Sequence, residues 1–297
     1  MTTKIDFQAL VLGTLITVSG YPVLAATTPS AIWQAETGVF IGAGRAFQHD
    51  TETLNNTPID SEKGALSAYT AGLMGISRHT EGLYWRLNYT WARGSTHYEG
   101  NAQMGYPAQA TTSNTMNSAD GRLGFVINGF WQNDGDAVLI PYIGLGLHRW
   151  ARSAARGSLP GGPEYYSDGH MGIGLRGDYV LTRHWVLALY ALTGYTLGAQ
   201  VSGTDPVSVD TATGQVQNAS VTEALGDRPY SAIGAKLVYL IDRHWQITFH
   251  ARRARWAYGA SAPIPITNQT GAVVGDFTNP DSTTTQTLLI LDIGATF

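Results

Sequence analysis

The chain has 297 residues, a formal net charge of -4 and a charged fraction of only 13%. The small negative charge gives no reason to expect nucleic-acid binding, and the absence of cysteine excludes disulfide and thiolate chemistry. The 35 glycines, 15 tyrosines and 8 tryptophans are typical of two-sided β-strands with aromatic anchors and small residues where space is short.

The amino-terminal segment predicts export. Lys4 gives a positive start, residues 7–18 are mostly apolar, and Val23, Leu24 and Ala25 fit a small-x-small cleavage site. The apolar run is too short to cross a bilayer, and no later segment has the length of a transmembrane helix. We therefore expect any membrane insertion of the mature chain to use a closed sheet. The predicted boundaries are residues 1–25 for a cleaved signal peptide and residues 26–297 for a single domain.

Alternating apolar and polar residues predict about ten strands along the rest of the chain. In the clearest of them, Leu83 and Trp85 lie on one face and Arg86 on the other, a period of two that a helix does not give. Residues 47–63 and 94–117 are polar and rich in turn-forming residues, and we predict that both are loops. In chain order, the predicted strands are residues 33–43, 65–77, 83–91, 120–132, 137–149, 170–181, a seventh from residue 185, 230–241, 245–258 and 286–297.

Very short and long connections alternate between these strands. The short turns are predicted at residues 78–82, 133–136, 182–184 and 242–244, and the last two share an Arg-His-Trp sequence. Outer-membrane β-barrels have short periplasmic turns and long extracellular loops, so this alternation is typical of that class.

The last twelve residues form a two-sided strand. Leu291, Ile293 and Phe297 share one parity, while Gln286 and Asp292 lie on the other. A chain that ends on an aromatic residue at the close of such a strand resembles bacterial outer-membrane β-barrel proteins. The resemblance implies an all-β, antiparallel, transmembrane up-and-down barrel in the outer membrane of a Gram-negative bacterium, in contact with lipid and lipopolysaccharide. It also implies that Phe297 is an assembly signal read by the barrel-assembly machinery.

Five tryptophans fall on the apolar parity at the turn ends of their predicted strands. At one common level they would form an interfacial aromatic girdle. A soluble β-sandwich would also show period-two strands, but nothing in it would require the tryptophans to share a level. The predicted girdle consists of Trp33, Trp85, Trp131, Trp185 and Trp245.

The polar parity carries charges of both signs. These are too many for a dry core and suit the lumen of a barrel. Their near balance favours a structural network of ion pairs over a selectivity ring of one sign. A barrel of about eight strands is filled by side chains, whereas water-filled porins need about sixteen, so we predict a narrow or plugged lumen. The predicted lumen charge network is Arg86, Asp120, Arg122, Arg176, Asp178, Lys236, Arg252 and Asp292.

Ten strands with large surface loops also resemble the omptin family of outer-membrane proteases, over the whole mature chain at the level of architecture. This resemblance implies an aspartate-histidine dyad and an acidic pair at the outer mouth of the barrel. The local match is Asp168 and His170, in which Asp168 could orient His170 to activate a water molecule. Two features depart from the family. Residues 94–117 contain one acid, Glu99, in place of the acidic pair, and the Asp-x-His triplet comes one loop too early.

We therefore predict a non-enzymatic outer-membrane barrel whose surface loops serve structural or adhesive contact. An omptin-like surface protease is the alternative, and a small pore is the third hypothesis. We predict no cofactor and no metal site, since the sequence has no Ser-His-Asp spacing, phosphate-binding loop or metal-ligand cluster. The sequence identifies no extracellular ligand.

Overall fold

The computed structural model describes residues 30–77, 82–101, 107–128, 136–154, 163–210 and 212–297. The predicted signal peptide lies outside these ranges. In the described part of the chain, no helix has the length and apolarity that a membrane-spanning helix requires. The elements found there are α1 (Ser30–Ala35), β1 (Gly38–Leu54), β2 (Thr57–Ile76), β3 (Leu83–Asn101), β4 (Pro107–Phe125), β5 (Ile127–Asn128), β6 (Ala137–Ala154), β7 (Glu164–Thr182), β8 (Trp185–Val209), β9 (Val216–Ala224), β10 (Pro229–Leu240), β11 (Trp245–Tyr258), β12 (Ile264–Asn268), β13 (Val273–Phe277) and β14 (Asp281–Ala295).

Ten of these strands close into an antiparallel barrel in the order β1, β2, β3, β4, β6, β7, β8, β10, β11 and β14. The first strand pairs with the last, from Val39 opposite Ala295 to Thr53 opposite Asp281. Outside the ring, β5 pairs with β6, β9 pairs with β8, and β12 and β13 form a hairpin beside the end of β8. A closed ladder satisfies the backbone of every wall strand without water. The predicted all-β class and the strand count of about ten are confirmed.

The two faces of the barrel wall have opposite character. In β14, Leu291 and Ile293 are 57% and 53% exposed on the outer face, whereas Asp292 between them is 2% exposed and faces the lumen. The parity predicted for the closing strand is confirmed. Exposed apolar side chains recur on the other wall strands, for example Leu87 in β3 and Ile173 in β7. A continuous apolar outer surface of this kind is unfavourable in water and favourable against lipid.

The apolar outer face covers only part of the height of the wall. On the side away from the start of β1 and the end of β14, its boundary is marked by outward arginines, among them Arg45, Arg93, Arg149 and Arg253. A membrane-spanning strand needs about 9–11 residues, whereas β2 has 20 residues and β8 has 25. The sheet therefore continues beyond the bilayer on the outer side. Side chains past the outward arginines, such as Asp50, lie outside the membrane-spanning segments.

Two segments predicted as loops are strands instead, and these predictions were wrong. Residues 47–63 complete the β1–β2 hairpin, whose two-residue turn consists of Asn55 and Asn56 with φ angles of 52° and 63°. Asparagine tolerates this left-handed conformation, and such a turn matches the twist of the flanking strands. Residues 94–117 fall largely within β3 and β4. Their polar composition reflects strands that stand in water beyond the bilayer.

The prediction of a first strand over residues 33–43 was wrong for residues 33–37. These belong to helix α1 and to the turn after it, and β1 begins at Gly38. Ile32, Ala35 and Glu36 have the i, i+3, i+4 spacing of one helical face, and all three are fully buried inside the inner end of the barrel. Gly38 then redirects the chain into β1 with a φ of 136°, where a Cβ would collide with the carbonyl oxygen of Ala295. The helix thus plugs the lumen at the end where the chain enters the wall.

Because Trp33 lies in helix α1, it does not belong to the predicted tryptophan girdle. Trp33 is half-buried against the apolar cluster inside the barrel and does not face lipid. Trp85, Trp185 and Trp245 lie on the outward parity near the turn ends of β3, β8 and β11. Trp131 lies outside the described residues.

Candidate functional site

Four levels of polar side chains fill the lumen, and the innermost one holds helix α1 in place. Arg176 is completely buried; its Nε donates to Asp178 Oδ1 at 2.7 Å and its Nη2 lies 2.6 Å from Glu36 Oε1. Glu36 also accepts from Lys236 Nζ at 2.6 Å. Two carboxylates and two cations therefore alternate in a chain of ion pairs, and Arg176 donates further to the hydroxyl of Tyr84 at 3.2 Å. This level ties the plug to β7 and β10.

The second level is organised around Asp120. Its two carboxylate oxygens lie 3.1 Å from His170 Nε2 and 3.4 Å from Arg252 Nη1. The imidazole of His170 stacks on Tyr230 at 4.2 Å, and Arg252 donates to the hydroxyl of the same tyrosine at 2.5 Å. His170 reaches Asp120 across Gly146, where a Cβ would collide with the imidazole ring.

The third level contains a second histidine-aspartate pair. His148 Nδ1 lies 3.1 Å from Asp168 Oδ1, which also accepts from the hydroxyl of Tyr258 at 2.7 Å. The ring of Trp256 packs edge-on against His148 at 4.9 Å. Among the described residues, His148 Nε2 is buried and has no hydrogen-bond partner.

The predicted partnership of Asp168 and His170 is not the one that the structure forms. Both side chains face the lumen from β7 and are buried, but Asp168 contacts His148 while His170 contacts Asp120. Residues two apart on a strand share a face without having to share a partner. The pairing register decides instead, because β6 places His148 directly opposite Asp168.

The outermost level surrounds Arg152. Its guanidinium lies 3.0 Å from Glu52, 3.3 Å from Glu62 and 2.6 Å from Glu164, and it sits over the rings of Trp150 and Tyr166. Glu62 also accepts hydrogen bonds from three polar side chains of β3 and β4. These are Thr96, Thr112 and Asn114.

Acids outnumber cations at this outermost level. Burial and the neighbouring carboxylate of Glu52 raise the pKa of Asp50 to about 7. Burial and the carboxylate of Asp60 raise the pKa of Glu52 to about 8, against the opposing effect of Arg152. Asp60 has a raised pKa for the same first reason, burial. Asp50 and Glu52 therefore keep part of their protons near neutral pH.

This outermost level was not predicted from the sequence, because residues 47–63 were predicted to be a loop. The Asn55-Asn56 pair was a usable hairpin signal, but Gln48, Asp50 and Glu52 alternate with His49 and Thr51, which are polar as well. The outward parity is also polar here, which removed the apolar contrast on which the strand prediction depended.

All eight residues of the predicted charge network point into the lumen. Besides the pairs above, Arg86 donates to Met74 Sδ at 3.2 Å and lies over the ring of Phe40, and Arg122 lies over the rings of Tyr142 and Tyr190. Phe297, the predicted assembly signal, follows the end of β14 and is 74% exposed. In the part of the chain that the structure describes, no three His, Asp or Glu side chains are arranged to hold a metal ion.

Comparison with known proteins gives relatives in structure alone. The sequence matches no protein-family model and no curated protein. The outer membrane protease OmpT from Escherichia coli superposes with a TM-score of 0.53 at 11% identity, over 88% of this chain and 97% of that chain. The chain has the outer-membrane β-barrel fold. The architecture predicted from strand count and connections, similar to that of omptins, is confirmed as a fold.

Two other outer-membrane barrels superpose less closely on this outer-membrane β-barrel. The toluene transporter TodX from Pseudomonas putida has a TM-score of 0.37 at 10% identity, over 91% of this chain and 92% of that chain. The outer membrane protein OprG from Pseudomonas aeruginosa has a TM-score of 0.29 at 9% identity, over 88% and 94% of the two chains. The fold and the apolar outer face of the wall place this barrel in the outer membrane of a Gram-negative bacterium.

Proposed function

We propose that the protein is a closed, non-conducting outer-membrane barrel that presents an extended extracellular sheet for structural or adhesive contact. The observation that carries the proposal is the filling of the lumen at four successive heights. Each of the four levels contains a contact between strands that are not neighbours in the wall. These contacts join Arg176 to Tyr84, Asp120 to Arg252, Asp168 to Tyr258 and Arg152 to Glu62. Such a lumen transmits no solute and anchors the strands that rise from it.

The part of the sheet beyond the bilayer supports the contact role. β9 pairs with β8 there, and the hairpin of β12 and β13 adds to the same sheet. Exposed valines mark this region, including Val216, Val273 and Val274. The surrounding side chains are mainly threonine, serine, asparagine and glutamine, a surface suited to neutral partners rather than strongly charged ones.

Lipopolysaccharide contact, expected from the resemblance to outer-membrane barrels, is part of this proposal. Outward cations at the upper boundary of the apolar surface include Arg45, Arg93 and Arg149. Guanidinium groups at this height suit the phosphates of the outer leaflet, with which they can form bidentate hydrogen bonds.

Purified protein in planar lipid bilayers is expected to give no stepwise conductance, because ions cannot pass four packed levels of side chains. A general porin reconstituted in the same way provides the positive control. The matched variant Arg152→Ala opens only the outermost level, so it should also give no conductance. Reproducible conductance steps from the folded wild-type protein would refute the closed-lumen proposal.

A surface hydrolase is a second candidate, favoured by the His148–Asp168 pair. Asp168 binds Nδ1 of the imidazole, so the buried Nε2, which has no partner among the described residues, would be the basic atom toward a substrate that reached it. This is the geometry of an oriented general base. The carboxylate-rich level lies directly outward of this pair. The pair differs from the predicted Asp168–His170 dyad, so the two histidines can be tested against each other.

Intact cells carrying the protein should show no cleavage of a basic reporter peptide above background if the first proposal is correct. If cleavage is present, His148→Ala should lower it by about 10²–10⁴-fold because general-base assistance is lost. His170→Ala serves as the control, with folding checked by the change in gel mobility on boiling. Peptide cleavage that is unaffected by His148→Ala would exclude this histidine as the base.

A further inference from the structure

A small, partly enclosed cavity lies in the middle of the lumen, between the plug and the His170 level. Its volume is about 20 Å³. About 10–15 Å³ is enough for one water molecule, so the cavity accommodates a single particle of that size. A phosphate or a carboxylate is too large for it.

The lining of this cavity is strongly positive. Four cationic side chains, Arg86, Arg122, Lys236 and Arg252, contribute to it, together with a single carboxylate, Asp120. Uncompensated charges in a barrel interior are expensive, because neither water nor a counterion replaces the lost solvation.

Among the described residues, two of the four cations, Arg86 and Arg122, have no carboxylate within ion-pair distance. Arg86 has Met74 Sδ and the ring of Phe40 as its contacts. Lys236 is paired with Glu36, and Arg252 is paired with Asp120. Arg122 has the ring of Tyr190 at 4.2 Å and that of Tyr142 at 5.3 Å as its contacts.

One N–H donor of Arg252 has no acceptor among the described residues. Arg252 Nε is buried and has no hydrogen-bond partner in the described structure, although both terminal nitrogens of the same guanidinium are bonded. An N–H donor of a cation that lacks an acceptor is a costly arrangement, and its guanidinium contributes to the cavity lining.

Between the plug and His170, the lumen contains one more cationic side chain than carboxylate side chains. Five cations face the lumen over this height, and four carboxylates oppose them. The next carboxylate outward, Asp168, is already held by Tyr258 and His148. One monovalent anion therefore restores neutrality. The cations are Arg86, Arg122, Arg176, Lys236 and Arg252, and the carboxylates are Glu36, Asp120, Asp178 and Asp292.

We propose that the cavity is a binding site for one small inorganic anion, with chloride as its occupant. Chloride is only slightly larger than water, carries the single negative charge that is missing, and accepts N–H donors from several directions. The anion would form part of the folded structure, since Arg122 and Arg252 reach it from β4 and β11 on different sides of the barrel.

The test compares protein folded in sodium chloride with protein folded in sodium gluconate at equal ionic strength, because gluconate cannot enter the cavity. The midpoint of heat unfolding, read from gel mobility, should be higher in chloride and should rise with chloride concentration. This chloride effect should disappear in Arg122→Met and persist in Arg255→Met, whose arginine is exposed on the outer face of β11. Equal midpoints in the two salts, or an undiminished chloride effect in Arg122→Met, would overturn the proposal.

Crystals grown in sodium bromide provide a readout that does not depend on a variant folding. A bromide ion in the cavity should give one anomalous difference peak near Arg122 and Arg252. A cavity that holds only water gives no such peak, and that result would refute the anion site directly.

Discussion

Arg176→Met is expected to destabilise the barrel by about 3–5 kcal/mol, because it leaves Glu36 and Asp178 as buried carboxylates without their guanidinium partner. The plug should loosen as well, since Glu36 follows helix α1 directly. Urea unfolding in detergent micelles measures the change in the free energy of unfolding.

Arg45→Met is the matched control for this substitution. Arg45 faces outward, and among the described residues its side chain bonds only Ser67 Oγ, at 3.2 Å. Its replacement should therefore change stability by less than about 0.5 kcal/mol. If both methionine variants unfold at the wild-type urea concentration, the ion-pair chain contributes nothing to holding the plug.

Raising the pH from 6 to 9 is expected to destabilise the outer end of the barrel. The pKa of Asp50 is raised to about 7 and that of Glu52 to about 8, both above their values in an unfolded chain. Stability from such groups is complete below the unfolded pKa, near 4, and is lost as the pH rises through the folded pKa. Ionisation then places like charges next to Asp60, with Arg152 as the nearby cation.

Glu52→Gln should flatten this pH dependence, because the amide keeps the shape of the side chain and cannot ionise. Glu99→Gln is the control, since Glu99 is an exposed acid on the outer face and pairs with His97. The measurement is the midpoint of heat unfolding at each pH. A wild-type midpoint that stays constant between pH 6 and 9 would contradict the proposed titration.

The wall of the barrel was predictable wherever its two faces meet different media. In residues 83–91 and 245–258 the outer parity meets lipid and the inner parity meets a polar lumen, so the period of two is visible in the sequence. Beyond the bilayer both faces are polar, and the strands in residues 47–63 and 94–117 lost that signal. The helix at residues 30–35 is short, and its buried spacing covers too few residues to be separated from alternation.

The partners within the lumen could not be predicted for a different reason. Inward parity showed that His148, Asp168 and His170 share the interior, but the strand register determines which of them meet. His148 lies directly opposite Asp168 on the neighbouring strand, whereas His170 passes over Gly146 to reach Asp120 two strands away. A single sequence does not show which residues lie opposite each other on neighbouring strands.

The buried plug has a consequence for the closing seam of the barrel. Helix α1 immediately precedes β1, and β1 is the strand against which β14 closes the ring. Thr296, just after β14, donates from its hydroxyl to the carbonyl oxygen of Gln34 in the helix at 3.1 Å. The helix therefore lies beside the seam at which β1 and β14 close the ring, and it contacts the residue that follows β14. We therefore expect closure of the seam and docking of the helix to stabilise each other, so that a barrel with the helix outside the lumen would lose contacts at its seam as well.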